Sequence, residues 1–418
     1  MFNNKINFEE LSNILKINKE QVDFRSQSFD RFHLNGFPSK KIEDWKFIDL
    51  NKIIKSKIPD LKFFNKLVTN KKSKSEILKY LPFKIEDENY ILSVNGFISD
   101  ISLRNEDQNK FEIIKNPEII KPNNDDTLEL LNNALYLDYI KLIVRENYKF
   151  IKPIIFINVS SPDITDTNIN QRFDVLLEKN SSLSVLDLNL NNSLNSFLNI
   201  NNNFVLQENS ILKNYKIDLN GNSNLYYSKT KIDLYKNSIS ENFILTAGSE
   251  FAKNEIVCNL KENYCSAFVN GIINLKDSKQ HEIRSKINHL SENTKSYQLI
   301  KAALKDKSRA VYQGKIYVDS VSQKTDGYQL SKAILLNEGT EFNAKPELEI
   351  YADDVKCSHG SSSGNLDENK IFYLMTRGLN KNEAKQILLD GFFLEVIEKI
   401  TNNRVKNIIK LLMNIRWK

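Results

Sequence analysis

Four histidines and three cysteines in 418 residues leave little of the acid–base and thiol chemistry that works near neutral pH. Cys258, Cys265 and Cys357 are too few to form the disulfide framework of a chain this long, and free thiols fit a reducing compartment. No run of about 18 apolar residues occurs, so no membrane-spanning helix is expected. The N-terminus has no apolar leader core and places acids early, which reads as cytoplasmic. The charge excess is small, with 59 basic against 53 acidic residues and a net +6, and it is dispersed. Nucleic-acid binding would want a clustered basic face, and none is present; the Lys-Lys-Ser-Lys run at 71–74 reads as a solvated linker. Neither a phosphate-cradling glycine loop, a Gly-x-Ser-x-Gly elbow nor a helical His-Glu-x-x-His occurs, so no nucleotide bound by this chain itself is expected.

What the chain does contain is β-strand. Ile91–Ile98 reads as a hairpin turning at Asn95-Gly96. From about residue 140 to 355, apolar runs such as 153–159, 173–177, 183–188, 204–206, 211–217, 223–227 and 238–245 follow one another. Polar turns such as Lys179-Asn180-Ser181-Ser182, Glu208-Asn209-Ser210 and Ala247-Gly248-Ser249-Glu250 separate them. Turn words recurring ahead of apolar strands suit a stacked β-solenoid, with a sandwich as the competing reading. Helical signals flank this region. Val22, Phe29 and Phe32 precede a Gly36/Pro38 stop, and Leu128, Leu131 and Leu135 follow Asp125 and Asp126. After Leu366, Asp367 can cap a helix carrying Ile371, Leu374 and Met375, which Gly378 would end. Asn380 and Glu383 form a capping box ahead of an apolar face of Ala384, Ile387, Leu388 and Gly391. A last stripe is Val405, Ile408, Ile409 and Leu412.

The chemically distinctive stretch is 345–364. Leu348, Ile350 and Ala352 alternate with Glu347, Glu349 and Tyr351 as in a half-buried strand, which is expected to run into a polar turn carrying Cys357 and His359. Residues two apart in an extended chain face the same side, so thiol and imidazole would share one space. Both donors suit iron or zinc, but two ligands do not close a site. The serines between Gly360 and Gly364 read as a sharp bend before the next helix. Cys258 and Cys265 read as inert buried thiols. His281, His289, Lys315, Lys324 and Asp326 read as turn and ladder residues, and Trp45 as an anchor packing its segment on the body.

The wording Lys345-Pro-Glu-Leu-Glu-Ile-Tyr-Ala-Asp-Asp-Val-Lys-Cys-Ser-His-Gly360, with Gly364, Leu366-Asp367-Glu368 and Arg377-Gly378, resembles the SufB/SufD family of scaffold subunits in SUF iron–sulfur cluster assembly. Gly36-Phe-Pro-Ser-Lys-Lys-Ile-Glu-Asp-Trp45, Leu131–Leu135 and Lys324-Thr-Asp-Gly327 match the same family in the same order. Phe37, Phe47 and the Ser361–Ser363 run depart from its usual wording. The SufB branch carries more cysteines and a different turn, so the other branch is the better match. The resemblance implies a right-handed parallel β-helix flanked by helical domains: 1–140 mainly helical with a small hairpin, 141–358 the β-helix, and 359–418 helical. It further implies a non-enzymatic scaffold that pairs with SufB along the β-helix edge and docks the SufC ATPase through its C-terminal helices, with homodimers possible in isolation. By the same resemblance, His359 and Cys357 would contribute ligands to a transient iron–sulfur cluster shared with the partner subunit. Two rivals stand beside it. One is a carbohydrate-active β-helix enzyme using Asp353 and Asp354, which as strand neighbours would point apart. The other is a metal-free β-solenoid interaction protein.

Overall fold

A computed structural model describes residues 6–64, 81, 83–85, 87–117, 126–191, 193–218 and 224–417. The Lys71–Lys74 run, Asp125 and Ser223 lie outside the described residues. Two facing parallel sheets dominate, built from strands that alternate between them. One wall holds β4 (Tyr139–Val144), β6 (Asn168–Leu177), β8 (Phe197–Leu206), β10 (Leu225–Leu234), β12 (Phe251–Leu260), β14 (Gln280–His289), β16 (Arg309–Val318) and β18 (Glu341–Ile350). The other holds β5 (Ile154–Ser160), β7 (Ser182–Asn191), β9 (Ile211–Asp218), β11 (Ile239–Thr246), β13 (Ser266–Leu275), β15 (Lys295–Leu304), β17 (Thr325–Leu335) and β19 (Val355–Gly364). Each consecutive pair makes one coil, giving a solenoid of about eight turns, with strands making up 46% of the chain. The first coil is closed by the hairpin of β1 (Asn89–Val94) and β2 (Phe97–Ser102) on one wall and by antiparallel β3 (Phe111–Lys115) on the other.

In-register parallel pairing stacks like on like. Val175, Phe204, Ile232, Cys258, Ile287, Ile316 and Leu348 form one interior column, rung on rung. Each rung buries its side chain only because the next coil covers it. The turn words have an equally direct cause. Asn147, Asn180, Asn209 and Asn237 adopt left-handed backbone with φ of 57–61°, which asparagine tolerates better than other non-glycine residues. Their side-chain amides form a ladder, each donating to the Oδ1 of the asparagine one coil earlier at 2.9, 2.9 and 3.0 Å. The hairpin turns at Asn95 and Gly96, both with positive φ, as expected for Asn-Gly.

Two helical layers cover the outer faces. On the N-terminal side are α1 (Phe8–Leu15), α2 (Lys19–Asn35), α3 (Leu50–Lys57) and α4 (Thr127–Leu135), the last capped by Asp126. They explain why β8 and β12 are buried on both faces in their first halves and alternate only in their second. Helices α5 (Glu368–Thr376), α6 (Lys381–Ile397) and α7 (Asn403–Trp417) follow the solenoid. The expected caps form: the Asp367 carboxylate accepts from Asn369 and Lys370 N–H, and Asn380 with Glu383 makes the reciprocal box.

Three expectations change. The serine run is not a bend: β19 continues to Gly364, because Gly360–Ser363 lie in ladder register with Leu330–Ala333 and take their backbone bonds there. The strands therefore reach past residues 141 and 358 on both sides, and His359 belongs to the solenoid. Asp353 and Asp354 occupy the bend between β18 and β19, not a strand. Of the face expected on α6, Ala384 is buried while Ile387 is exposed, and the rest of the buried face is Leu389, Phe393, Val396 and Ile397, which packs with the α7 stripe on the outer face of the odd-numbered wall.

Candidate functional site

The two walls end differently from how they begin. Strands β18 and β19 each pair on one side only, so the last coil presents two free edges. Strand β18 is half-buried and β19 mostly exposed where earlier coils are buried, because the next rung is missing. Leu348, Val355 and Cys357 pack on Ile316 and Val318, whereas Ile350 and Tyr351 stand exposed at the rim. Pro346 sits in β18, where an unpaired edge tolerates the loss of an N–H donor.

Cys357 and His359 point to the interior side of this last coil. Cys357 lies opposite Gly327 and His359 opposite Gln329, both inward residues of β17. They do share a face, as the two-residue spacing requires. Cys357 is half-buried, and burial, aided by the charge of Asp326, pushes its thiol up against the opposing Gly327 N–H bond. The resting group is thus the thiol, and a metal would have to displace its proton. His359 is exposed and makes no hydrogen bond or ion pair with a described residue. Among the described residues, no group of three or more His, Cys, Asp or Glu side chains could hold a metal ion. The pair can supply two soft-to-borderline ligands to something held elsewhere, and cannot enclose a metal alone.

The remaining flagged residues are structural. Cys258 is a rung of the apolar column, and Cys265 donates to the Tyr235 carbonyl at 3.1 Å. His281 and His289 sit at the two ends of β14, buried in the lumen. The ring of His281 bonds Thr246 and the Ser249 carbonyl; that of His289 bonds Thr294 and Ser296. Lys324 is a left-handed turn residue whose N–H donates to the Asp354 carbonyl at 2.6 Å, and Lys315 pairs with Glu349. Trp45 is buried against Tyr227 and Lys253, the anchor its size suggested.

Sequence reasoning missed the charges that hold that anchor. Lys253 and Glu282 are fully buried partners at 2.8 Å on the outer face of the even-numbered wall, and Arg284 pairs with Asp44. It also missed Asp187 and Lys216, buried together inside the lumen at 3.7 Å. The available signal was a failure of alternation: strands such as Phe251–Leu260 carry charges in halves where both faces are covered.

Residues 159–392 match the family profile of the SUF system FeS cluster assembly SufBD core domain. The iron–sulfur cluster assembly protein SufD of Escherichia coli is 38% identical over 125 residues, 30% of each chain. A SufBD family protein of Synechocystis is 24% identical over 402 residues, covering 91% of this chain and 87% of that one. The SufD of Bacillus subtilis is 29% identical over 122 residues, 29% of this chain and 28% of its own. The matched stretches thus span under a third of the E. coli and B. subtilis proteins.

Proposed function

The chain belongs to the SufBD core family of the SUF iron–sulfur cluster assembly system, and from that premise we propose that it is a SufD-type, non-enzymatic scaffold whose open solenoid end completes a cluster-building site with SufB. The observation that carries this reading is His359, exposed and unpartnered on the interior side of an unpaired edge strand. A free parallel-sheet edge calls for cover, because it offers a row of unpaired backbone groups to any strand that meets it. A partner solenoid stacked there would extend the interior columns and bring its own ligands to His359, and to Cys357 behind it. The nascent cluster is then cargo shared between two chains. That division of ligands suits transient building better than permanent storage, since neither chain holds a complete set.

The second contact is with the SufC ATPase. Helices α5 and α6 leave Phe372, Tyr373, Met375, Ile387 and Leu394 exposed, an apolar surface of the kind that marks a protein interface. Nucleotide chemistry would reside in that partner. Among the described residues no helix is long and apolar enough to cross a membrane, and a cytoplasmic complex is the setting this reading assumes.

The test is co-purification of the chain with its own SufB and SufC, followed by anaerobic cluster reconstitution read by visible absorption. The expected result is that wild type forms the complex and develops the chromophore, while His359→Ala forms the complex without it. Normal cluster assembly on His359→Ala would move the ligand elsewhere, and failure of the wild-type complex to form would remove the scaffold reading itself.

A further inference from the structure

Among the described residues, a cavity lies on the outer face of the even-numbered wall, lined by Asp126 and Glu129 at the start of α4 and by Asp44 beside Trp45. It is a trough of about 720 Å³, within the usual range for small-molecule sites. Its floor is the outward row of β8, β10, β12 and β14. Most charges lining it are already engaged. Lys229 pairs with Asp126 and Glu129, Arg172 with Asp174, Asp233 with Lys261, and Arg284 with Asp44.

Arg172 Nε and Glu255 Oε1 also lack a hydrogen bond, the latter facing the Lys253 ammonium at 3.4 Å, and three further polar groups are not engaged. Lys231 and Lys286 make no hydrogen bond or ion pair with a described residue. They occupy one row of the sheet on either side of Val257, Lys231 beside it on β10 and Lys286 beside it on β14. Two strand spacings separate their backbones, roughly 10 Å, so two long side chains can converge over the valine between them. The third group is Asn201, 3% exposed in the floor, whose Nδ2 has no acceptor. A buried amide donor without an acceptor is costly, and such groups in native structures call for an explanation.

We propose that this trough binds a phosphate-bearing small molecule, with Lys231 and Lys286 on the phosphate and Asn201 donating from the floor. Two unpaired ammonium groups carried on either side of one apolar residue match a compact, multiply charged anion. A cationic ligand would meet both unneutralised. The carboxylates along the walls, held in place by their own cations, retain acceptor capacity for the hydroxyl groups of such a molecule. The site is independent of the cluster-building end, and no step of the proposed function uses it.

Pyrophosphate is the probe. Calorimetric titration of the full chain at low salt should give saturable one-site binding. The double variant Lys231→Ala/Lys286→Ala should bind at least tenfold more weakly, since two charge-assisted hydrogen bonds are lost. Asn201→Asp, which turns the floor donor into a charge, should weaken binding comparably with an unchanged circular dichroism spectrum. Lys295→Ala, which removes an equal charge from the opposite wall, should bind as wild type. No saturable binding by wild type at millimolar pyrophosphate overturns the proposal. So does equal weakening in Lys295→Ala, which would make the binding a general charge effect.

Discussion

The ammonium of Lys253 lies 4.0 Å from the centre of the Trp45 ring and 2.8 Å from Glu282 Oε1, with no exposure to solvent. It also donates to the Asp44 carbonyl, so one side chain of β12 holds the backbone and the ring of a segment some two hundred residues earlier. Around it, Arg284 pairs with Asp44 and Lys345 with Glu43. The segment is therefore stitched across β12, β14 and β18, the last being an edge strand of the open coil.

Removing the buried cation should be costly, because it strands Glu282, whose carboxyl burial already pushes up against the pull of Lys253. Lys253→Met is expected to destabilise the chain by about 3–5 kcal/mol, the usual cost of breaking a buried pair from one side. Adding Glu282→Gln should restore part of that, since the stranded charge is then gone. Denaturant unfolding followed by tryptophan fluorescence measures both. Equal destabilisation in the single and double variants would show that the charge pairing is not what Lys253 supplies.

Much of the fold was legible because it is written in local words. The Asn-Gly hairpin, the Asp126, Asp367 and Asn380 caps, and the recurring Asn-Ser turns each follow from backbone preferences of one or two residues. The stack of coils was suggested by those turns, yet a sandwich would use the same alternating strands; only the register of Val175 through Leu348 separates the two. The candidate site was named by residue type, and its setting in the fold was not legible. Cys357 and His359 share a face as their spacing requires, but the serines after them read as a bend, since a last coil has no cover to impose apolar alternation. The buried faces of α6 and the Lys253–Glu282 pair depend on surfaces distant in sequence, which no local pattern encodes.

The asparagine ladder predicts a position-specific effect. Asn209 accepts from Asn237 and donates to Asn180 while holding φ at 57°. Asn209→Ala loses two hydrogen bonds and strains a left-handed turn, for an expected loss of about 1–3 kcal/mol. Asn209→Gly loses the bonds without the strain and should cost less. The ordering of the two unfolding midpoints checks this, and a glycine variant no better than alanine would refute the strain component.

His289 should make stability depend on mild acid. Burial lowers its pKa to about 3, below the ordinary value of 6.5, so the folded chain keeps it neutral while the unfolded chain protonates it. The depressed folded value means the contribution is complete above about pH 6.5 and is lost as pH falls from there toward 3. Within that window unfolding takes up close to one proton, worth about 1.4 kcal/mol per pH unit. Comparing denaturant midpoints at pH 7.5 and 5.5, wild type should lose stability more steeply than His289→Gln. Parallel slopes in the two proteins would count against a neutral buried imidazole.

The three thiols should sort by coil position. Cys357 is half-buried with its pKa raised, so iodoacetamide should modify it slowly at pH 7 and faster as pH rises beyond 9. Cys258 and Cys265 should resist until the chain unfolds, being fully buried. Mass spectrometry of native and denatured samples distinguishes one reactive thiol from three. Rapid modification of Cys357 at neutral pH would mean that its thiolate is stabilised by something other than the groups now around it.

If the open end docks a partner and ligates a cluster as proposed, the two roles should be separable. Ile350 is 37% exposed at the rim, so Ile350→Asp should leave folding nearly intact while placing a charge where a partner solenoid would stack. Its expected effect is loss of the complex with SufB, read by size-exclusion chromatography. His359→Ala removes an exposed, unbonded side chain, and its unfolding free energy should change by less than about 0.5 kcal/mol. That variant should still form the complex and fail only at cluster assembly. If Ile350→Asp assembles normally, the partner approaches from another surface. A large destabilisation by His359→Ala would mean that the imidazole serves the fold, leaving its loss of chromophore without force as evidence of ligation.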